Sequence, residues 1–533
     1  MVSSQFVYPP TGLRTTKGAA GVTVRYKRVP RGICELDPNV KSFAGYTDIG
    51  PDQHIFWWFF EAKQDPLDKP LTIWLNGGPG ASSMNGVFRG IGPCFLEKRA
   101  GAKEPTPYDN PLSWTTETNI LFVDQPSLTG FSYSHPQAGC INEDGDVGPI
   151  RTNSTCPSGS TLGTFSRDAS DLYEKSTPQA AESFYKVLQG FMSAFPQYSK
   201  HGVILATESY GGHYGAVFAE YMMKRNEVRA PGYVPIAISA VLVINGLFNG
   251  LIQYPAYYKY AIHNPYGVPM MNQTVAQRMF DNLFGQGGCM DQLKKCNDAN
   301  GTDEDCFKAD DFCYNAQDLA LQASNRDEYD IRYLKPSPFP NRYFEQYLNL
   351  PRVREAIGAF VTFTSASNVV FNAFLKTGDT VKNLTIMEDM KSLIRRGIPV
   401  VLLYGDADYI CNWRGGEAVA DALAVDGFDS AGYVDVQTPD GVVHGQVKQS
   451  NNFAFVRAYQ SGHMVPFFQP LLALEVFKRT IHGLDIATGT HKLKGQTQGP
   501  AQSTFVEGNA TVQWSVVPEG ATYNHSSNRP SSE

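Results

Sequence analysis

Three polar side chains that could act together each follow an apolar stretch of the sequence. Ser209 follows GVILATE, Asp408 lies in GDADYICN after PVVLLY, and His463 follows FAFVRAYQSG. A serine hydroxyl is a weak nucleophile at neutral pH, so it needs a base to accept its proton and an acid to orient that base. These residue types therefore indicate acyl transfer through a serine nucleophile.

The chain order serine, aspartate, histidine is the order of α/β-hydrolases, whereas trypsin-like and subtilisin-like proteases use other orders. A serine before a helix is more often a helix cap, and an aspartate in a loop is more often a turn former. Asp406 competes with Asp408 for the role of acid, and His213 competes with His463 for the role of base. Spacing alone cannot separate the two aspartates, whereas the closeness of His213 to Ser209 in the sequence favours a packing role for His213.

The short sequence around Ser209 departs from the nucleophile motif G-x-S-x-G in two ways. Thr207 stands where that motif has its first glycine, and Glu208 places a carboxyl group next to the serine. A strand, a sharp turn and a helix start are still indicated here, with Gly211 and Gly212 keeping the turn tight. Backbone N–H groups at the helix start would face a developing oxyanion.

Alternation of apolar runs with helical patterns defines the predicted fold. Six runs have the composition of strands buried on both faces: LTIWL at 71–75, NILFVD at 119–124, GVILAT at 202–207, AVLVIN at 240–245, PVVLLY at 399–404 and FAFVRAY at 453–459. Amphipathic helices are predicted at 181–195, 215–225 and 469–483. The pattern predicts an α/β fold with a mostly parallel central sheet flanked by helices, whose strand ends carry the reactive residues.

Composition changes along the chain predict its organisation. The rhythm breaks at about 250–380, which contains a cysteine cluster and the acidic stretch NDANGTDEDCFKADD. We expect a core at 1–249 and 381–485, an inserted helical cap at 250–380, and a partly disordered C-terminal extension at 486–533. The extension contains one strand-like alternation, TVQWSVV.

Charge and hydropathy exclude several classes of partner. The 533 residues carry a formal net charge of −7, and no block of about five or six like charges is present. We therefore expect no nucleic-acid and no membrane partner. No apolar run reaches the roughly 18 residues of a membrane span, and we expect a signal peptide to be absent from the given chain.

Cysteines and glycosylation motifs indicate an oxidising compartment. The spacing of the cysteines at 289, 296, 306 and 313 favours two nested disulfides over a zinc site, so no metal is expected. The nine cysteines leave one thiol unpaired. N-glycans could be attached at six N-x-S/T motifs, which indicates a secreted or vacuolar glycoprotein: Asn153, Asn272, Asn300, Asn383, Asn509 and Asn524.

Four sequence blocks resemble the signatures of the serine carboxypeptidase family: WLNGGPGASS at 74–83, ESYGGHYG at 208–215, GDADYICN at 405–412 and SGHMVP at 461–466. The resemblance covers about 20–485, and the opening GVTVRYKRVPRGICELDPNVKSFAGY is similar to the secreted fungal branch. It implies an α/β-hydrolase that removes single residues from the C-termini of peptides and proteins through an acyl-enzyme. No cofactor is implied.

Carried over block by block, the resemblance assigns the reacting groups. It implies Ser209 as nucleophile, Asp408 as the acid and His463 as the base. The oxyanion hole would be formed by the backbone N–H groups of Gly78 and Tyr210.

The same resemblance assigns residues to the substrate's terminal carboxylate. Asn76 and Glu208 would hold it, with Trp74 in support. Two further residues would lie near the site, the free thiol Cys411 and Met464. Two carboxyl groups within hydrogen-bond reach cannot both be ionised cheaply, so Glu208 and the substrate would share a proton. We therefore expect a peptidase optimum at about pH 4 to 6.

Two positions depart from the family pattern. Ala81 replaces a cysteine of many relatives, and a Cys34–Cys94 disulfide could serve a similar tethering role. Gly90 replaces a glutamate that pairs with the carboxylate-binding glutamate, and Arg89 beside it either reaches inward or is a surface residue. The other pairings that we expect are 140–156, 289–313 and 296–306, which leave Cys411 free.

Two other functions are compatible with these residues. One is an esterase or acyltransferase that uses the same triad on a different acceptor. The other is a non-catalytic binding protein that retains the fold. A free-acid, amide and ester substrate series separates the first from a carboxypeptidase, and labelling of Ser209 by a fluorophosphonate excludes the second.

Overall fold

The computed structural model describes residues 9–99, 101–142, 145–148, 150, 155–166, 173–228, 230–337, 340–382, 385–504, 523–524 and 529–530. The chain divides into two compact units. The first comprises Met1–Leu205, Tyr221–Ile238 and Arg342–Phe374, and the second comprises Ala206–Glu220, Ser239–Asn341 and Leu375–Glu533.

The strands of the described residues are numbered in chain order: β1 (Arg14–Lys17), β2 (Thr23–Arg28), β3 (Ser42–Gly50), β4 (Gln53–Phe60), β5 (Leu71–Leu75), β6 (Cys94–Glu97), β7 (Thr106–Asp109), β8 (Asn119–Val123), β9 (Pro136–Ile141), β10 (Val147–Gly148), β11 (Thr161–Ser166), β12 (Val203–Glu208), β13 (Ile238–Ile244), β14 (Val400–Gly405), β15 (Val434–Asp435), β16 (Gly445–Ser450), β17 (Phe453–Ala458), β18 (Tyr523–Asn524) and β19 (Arg529–Pro530).

The α-helices of the described residues are likewise numbered in chain order: α1 (Met84–Phe88), α2 (Thr177–Ala194), α3 (Gly211–Val228), α4 (Gly250–Ile262), α5 (Gln273–Phe284), α6 (Cys289–Cys296), α7 (Asp303–Ser324), α8 (Tyr343–Leu348), α9 (Pro351–Ile357), α10 (Asn368–Thr377), α11 (Ile386–Arg395), α12 (Trp413–Ala422), α13 (Val465–Phe468) and α14 (Pro470–Ile481). Short 3-10 helices lie at Ala19–Gly21, Trp114–Thr116 and Pro196–Tyr198.

In the first unit, a mixed sheet has the strand order β1-β2-β3-β4-β8-β5. The strands from β1 to β8 in this order pair antiparallel, while β5 pairs parallel with β8. Trp57 and Phe59 of β4 are buried and pack their rings against Phe191 of α2. Burial of these large rings contributes much of this unit's hydrophobic stabilisation.

In the second unit, β13, β14 and β17 form a parallel ladder. Strand β16 pairs antiparallel with β17, and β15 pairs antiparallel with β16. All six residues of β14 are buried, as expected for a parallel strand covered on both faces. Parallel pairing brings the carboxyl ends of these strands to one edge, and Asn245, Asp408 and His463 follow these strands in the chain.

The six strands and three helices predicted from the sequence are all present, and the α/β class is confirmed. The sheet is mixed rather than mostly parallel because the early strands of the first unit pair antiparallel, and the tight turn between Gly50 and Gln53 can join β3 and β4 only in that direction. TVQWSVV lies outside the described residues. The division into a core, an inserted cap and an extension stays a prediction. Among the described helices, none combines the length and the apolar character needed to cross a bilayer.

The expected disulfides are confirmed. The first unit contains Cys34–Cys94 and Cys140–Cys156. In the second unit, Cys289–Cys313 and Cys296–Cys306 connect α6 with α7. Cys411 is free and buried. The 8-residue helix α6 is therefore joined covalently at both of its ends to the 22-residue helix α7.

Candidate functional site

Ser209 lies in a sharp turn between the end of β12 and the start of α3. Its φ is +65°, a left-handed conformation that residues with a side chain rarely adopt. Its backbone N–H donates to the Ile244 carbonyl at 3.0 Å, and its own carbonyl accepts from Gly212 N and Leu247 N, each at 2.9 Å. These three hydrogen bonds hold the turn that presents the Ser209 hydroxyl.

Close packing explains the residues around this turn. A Cβ atom on Gly212 would lie 2.2 Å from the Leu247 carbonyl oxygen, so only glycine fits there. The Thr207 hydroxyl donates to the Gly211 carbonyl at 2.8 Å. A buried threonine therefore occupies the place of the motif's first glycine with its hydroxyl hydrogen-bonded within the same turn.

The predicted acid and base form a direct pair. His463 Nδ1 lies 2.7 Å from Asp408 Oδ2, and the Asn245 side-chain amide donates to the same oxygen at 2.6 Å. All three residues are buried. Because Nδ1 faces a carboxylate, it carries the proton of the neutral ring, which leaves Nε2 to accept a proton from a nucleophile.

Burial and charge act in opposite directions on this pair. Burial lowers the pKa of His463, but the Asp408 carboxylate stabilises the imidazolium, and the net pKa is raised above the ordinary value. Burial raises the pKa of Asp408, while the hydrogen bonds from His463 and Asn245 oppose that rise. The imidazolium that forms when His463 takes a proton is therefore stabilised by its partner.

Cys411 brings Ser209 into the same cluster. Ligand atoms of Asp408, Cys411 and His463 lie within 4.8 Å of one another, and the Ser209 side chain interacts with the Cys411 thiol, opposing the rise that burial causes in its pKa. Burial raises the pKa of Cys411 well above its ordinary value, so the thiol is neutral and is a poor competing nucleophile.

The same carboxylate, thiol and imidazole are the donor types that a transition metal prefers. The 2.7 Å contact between His463 Nδ1 and Asp408 Oδ2 leaves no room for an ion between those two atoms. The expectation that the protein uses neither a metal nor a cofactor stays a prediction.

The structure distinguishes the alternatives that spacing left open. Asp406 accepts hydrogen bonds from the Arg457 guanidinium at 3.1 and 3.2 Å and pairs with that cation rather than with His463. His213 Nδ1 lies 2.8 Å from the Leu247 carbonyl, and its ring stacks on Tyr210. Burial lowers the pKa of His213, which packs beside the turn.

The remaining predicted residues of the second unit lie near this cluster in the chain. Glu208 is the buried last residue of β12, and Tyr210 immediately precedes α3. The Tyr210 hydroxyl donates to Asp379. The role predicted for Tyr210 involves only its backbone N–H group, and it stays a prediction. Met464 follows His463 and is half-buried.

In the first unit, the predicted carboxylate-binding residues form their own network. Trp74 Nε1 donates to Asn76 Oδ1 at 2.8 Å, and Asn76 N donates to the Ser83 hydroxyl at 3.2 Å. A Cβ on Gly86 would meet Trp74 Nε1 at 2.3 Å, which explains the glycine there. Gly78 has φ +105°, which favours glycine. The functional roles of Trp74, Asn76 and Gly78 stay predictions.

Gly90 and Arg89 have local explanations. Gly90 has φ +99°, a conformation in which the glutamate of other family members would be strained. Arg89 is half-buried, and its guanidinium lies 4.8 Å from the centre of the Phe344 ring. Arg89 is therefore a packed residue rather than a solvated one, and an inward role toward a carboxylate stays a prediction.

Sequence reasoning missed two polar residues that support these loops. Asn245 follows β13, and its side chain bonds both Asp408 and the end of β14. Its amide nitrogen donates to Asp408, and its Oδ1 accepts from Gly405 N at 3.1 Å. Asp124 follows β8, and its carboxylate accepts from the Ser82 hydroxyl and the Ser83 N–H. Burial raises the pKa of Asp124 to about 6. Asn245 and Asp124 are each the last residue of an apolar run, and Asp408 follows such a run by four residues. A polar residue at the end of a buried strand was therefore the sequence signal that could have identified them.

A serine in a left-handed turn, followed in the chain by an acid and a base after later strands, is the arrangement typical of α/β-hydrolases. The chain belongs to the serine carboxypeptidase family, whose model matches residues 32–483. It is 35% identical to Carboxypeptidase S1 homolog A of Arthroderma otae over 91% of this chain and 80% of that protein. It is 34% identical to Carboxypeptidase S1 of Penicillium janthinellum over 86% of this chain and 99% of that protein.

A solved structure supports the same fold. The protein is similar to Kex1(delta)p, a prohormone-processing carboxypeptidase from Saccharomyces cerevisiae, with a TM-score of 0.64 and 22% identity. That match covers 89% of this chain and 94% of the other.

Proposed function

We propose that this hydrolase releases C-terminal residues from peptides through an acyl-enzyme formed on Ser209. The observation that carries the proposal is the hydrogen bond between His463 Nδ1 and Asp408 Oδ2, at 2.7 Å, in a cluster with Cys411, whose thiol interacts with the Ser209 side chain. A base already oriented by a buried carboxylate is what a serine nucleophile needs.

Acylation begins when Ser209 Oγ attacks the carbonyl carbon of the last peptide bond and His463 Nε2 takes the hydroxyl proton. The carbonyl oxygen becomes an oxyanion, which the backbone N–H group of Tyr210, immediately before α3, stabilises. The C–N bond then breaks, and the imidazolium gives its proton to the departing amine. An ester joins the shortened peptide to Ser209.

Deacylation repeats these steps with water. His463 Nε2 takes a proton from a water molecule, whose oxygen attacks the ester carbonyl. The C–O bond to Ser209 breaks, and the imidazolium returns the proton to the serine oxygen. The shortened peptide leaves as a free acid, and the enzyme returns to its starting state.

We propose that Glu208 gives this reaction its preference for a chain terminus. Glu208 is 5% exposed and directly precedes the nucleophile. A substrate carboxylate bound beside it is favoured only while one proton is shared between the two groups. Loss of that proton as pH rises leaves two like charges, so binding of free-acid peptides weakens toward neutral pH.

Glu208→Gln is expected to remove this pH dependence. In the wild type, KM for a blocked dipeptide should rise by up to about tenfold per pH unit once the shared proton is lost, while KM for its methyl ester stays flat. The glutamine variant should bind the free acid with a nearly constant KM. The measurement is kcat and KM for both substrates between about pH 4 and 8.

A digestion series provides the matching test of the activity itself. A mixed peptide pool treated at several pH values and read by mass should show stepwise loss of C-terminal residues, fastest at acid pH. C-terminally amidated copies of the same peptides serve as the control. Equal trimming of acids and amides at every pH contradicts terminal-carboxylate recognition.

We propose that the protein is a secreted or vacuolar glycoprotein. Asn272 and Asn300 are exposed, and the four disulfides suit an oxidising route. Asn153, Asn383 and Asn509 lie outside the described residues. Treatment with an N-glycan-releasing enzyme should lower the mass of the native protein. Unchanged mass, and no difference for Asn272→Gln or Asn300→Gln, would contradict glycosylation at these two residues.

A further inference from the structure

Residues 326–334 form a closed loop in the second unit, and we name it the bracket loop. An antiparallel bridge between Arg326 and Leu334 joins the two ends of this loop. Asp327 N donates to the Tyr333 carbonyl at 3.0 Å inside that closure. The loop therefore has a fixed backbone shape although it contains no helix or long strand.

The bracket loop is hydrogen-bonded to both sides of Asp408. Ile331 N donates to the Ala407 carbonyl at 2.9 Å. On the other side, the Glu328 carbonyl accepts from Tyr409 N at 3.1 Å and from Ile410 N at 3.0 Å. The residues flanking Asp408 are thus held by backbone bonds to a single loop.

The same loop also holds the base. His463 N donates to the Tyr329 carbonyl at 2.8 Å, and the Tyr329 ring meets the His463 ring edge-on at 5.1 Å. A Cβ on Gly462 would lie 2.4 Å from the Tyr329 carbonyl oxygen, so the segment that carries His463 is in close contact with the bracket loop. The loops carrying acid and base are therefore connected through a third segment.

One buried ion pair sets the shape of the bracket loop. The Arg332 guanidinium donates to both Asp330 oxygens, at 2.8 and 2.5 Å. Asp330 is 2% exposed and Arg332 is 3% exposed, and Asp330 Oδ1 also accepts from Arg332 N at 3.1 Å. The guanidinium lies within 5.3 to 5.8 Å of the ring centres of Tyr266, Tyr333 and Phe468.

We propose that Asp330 and Arg332 are positioning residues, which keep Asp408 and His463 at hydrogen-bonding distance by fixing the bracket loop between them. The inference rests on the proposed roles of Asp408 and His463. The paired charges act through the backbone of residues 328–331, which is hydrogen-bonded on both sides of Asp408 and to the N–H of His463. This pair requires a planar, bidentate donor, because arginine can bond both oxygens of the Asp330 carboxylate in one plane and lysine cannot.

Loosening the bracket loop should change the pH dependence of the reaction, whereas a lower stability of the whole protein should not. The charged groups that face His463 are Asp408, Glu208 and Glu328, and Asp408 contributes most to raising the pKa of the imidazole. If Asp408 moves away, the pKa of His463 falls. The acid limb of kcat/KM, which reports protonation of the free base, then moves to lower pH.

Arg332→Lys tests the proposal because it keeps the positive charge but removes the bidentate hydrogen bonding to the Asp330 carboxylate. We expect kcat for an ester substrate to fall by about 10- to 100-fold, the effect of an ångström-scale misplacement, with little change in KM. The acid limb should move to lower pH. Rates are normalised by titrating active sites with a fluorophosphonate, so that a smaller folded fraction does not count as a lower kcat.

Arg479→Lys is the matched control. Arg479 is also a buried arginine of the second unit, 5% exposed, but it donates to the carbonyls of Ile486 and Ala487 on a different segment. It should lower the melting temperature without moving the acid limb or kcat per active site. If Arg332→Lys behaves like this control, the positioning role is wrong.

Asp330→Glu covers the case in which the lysine variant does not fold. It keeps both charges and lengthens the pair by one methylene, and we expect the same fall in kcat and the same shift of the acid limb. Unchanged kinetics in this variant contradict the proposal. Failure of the wild type to hydrolyse esters or to react with the probe would instead contradict the proposed function.

Discussion

Replacing Ser209 with alanine is expected to lower kcat by about 10⁴- to 10⁶-fold, because the nucleophile that forms the acyl-enzyme is removed. The left-handed turn should persist, since its three backbone hydrogen bonds involve no side-chain atom. Labelling by a fluorophosphonate probe should be lost at the same time. Initial rates on a peptide and an ester, together with the mass of the labelled protein, provide the measurement.

Ser199→Ala is the control for that variant. Ser199 is a half-buried serine of the first unit whose hydroxyl donates to the Pro196 carbonyl at 3.4 Å. Its replacement should leave both rate and labelling unchanged. Persistent labelling of the Ser209→Ala protein would mean that another residue is the nucleophile, and labelling of neither protein would support a non-catalytic binding role.

Replacing Asp408 with asparagine is expected to lower kcat by about 10⁴-fold. The amide would remove the charge that stabilises the imidazolium and would favour the wrong ring tautomer of His463. The pKa of His463 should fall, so the remaining activity should have its acid limb at lower pH. The measurement is the pH profile of kcat/KM for an ester substrate.

Asp406→Asn is the natural comparison, because the sequence offers both aspartates in GDAD. Asp406 is buried against Arg457, so its replacement leaves a cation without its partner and should lower stability by about 3 to 5 kcal/mol. Activity per folded molecule should change far less than in Asp408→Asn. If Asp406→Asn had the larger effect on kcat, the assignment of the acid would be reversed.

The fold was predictable because its signals are local. Buried parallel strands such as β14 appear as unbroken apolar runs, and the residues that follow them fall at one sheet edge by geometry. The disulfides were predictable because their cysteines are close in sequence or have few alternative partners. The spacing of Asp406 and Asp408 could not separate them, since only the direction of each side chain decides which one meets His463.

The supporting residues were harder to predict because their partners are remote in sequence. Asn245 reaches Asp408 across 163 positions, and no periodicity encodes that contact. The bracket loop has neither a strand nor a helical pattern, and its role depends on backbone carbonyls, which every residue type possesses. Asp330 and Arg332 look like ordinary surface charges in the sequence, and only their burial distinguishes them.

The threonine that replaces the first motif glycine also restricts a second position. A Cβ added to Gly215 would lie 3.3 Å from the Thr207 hydroxyl oxygen and 3.3 Å from Val243 Cγ2. Both contacts are tighter than ordinary van der Waals contact, so a methyl group at this position of α3 would fit only if its neighbours moved by a few tenths of an ångström. Thr207 therefore adds to the crowding that favours glycine at position 215, and a larger residue there would have to displace both the Thr207 hydroxyl and Val243.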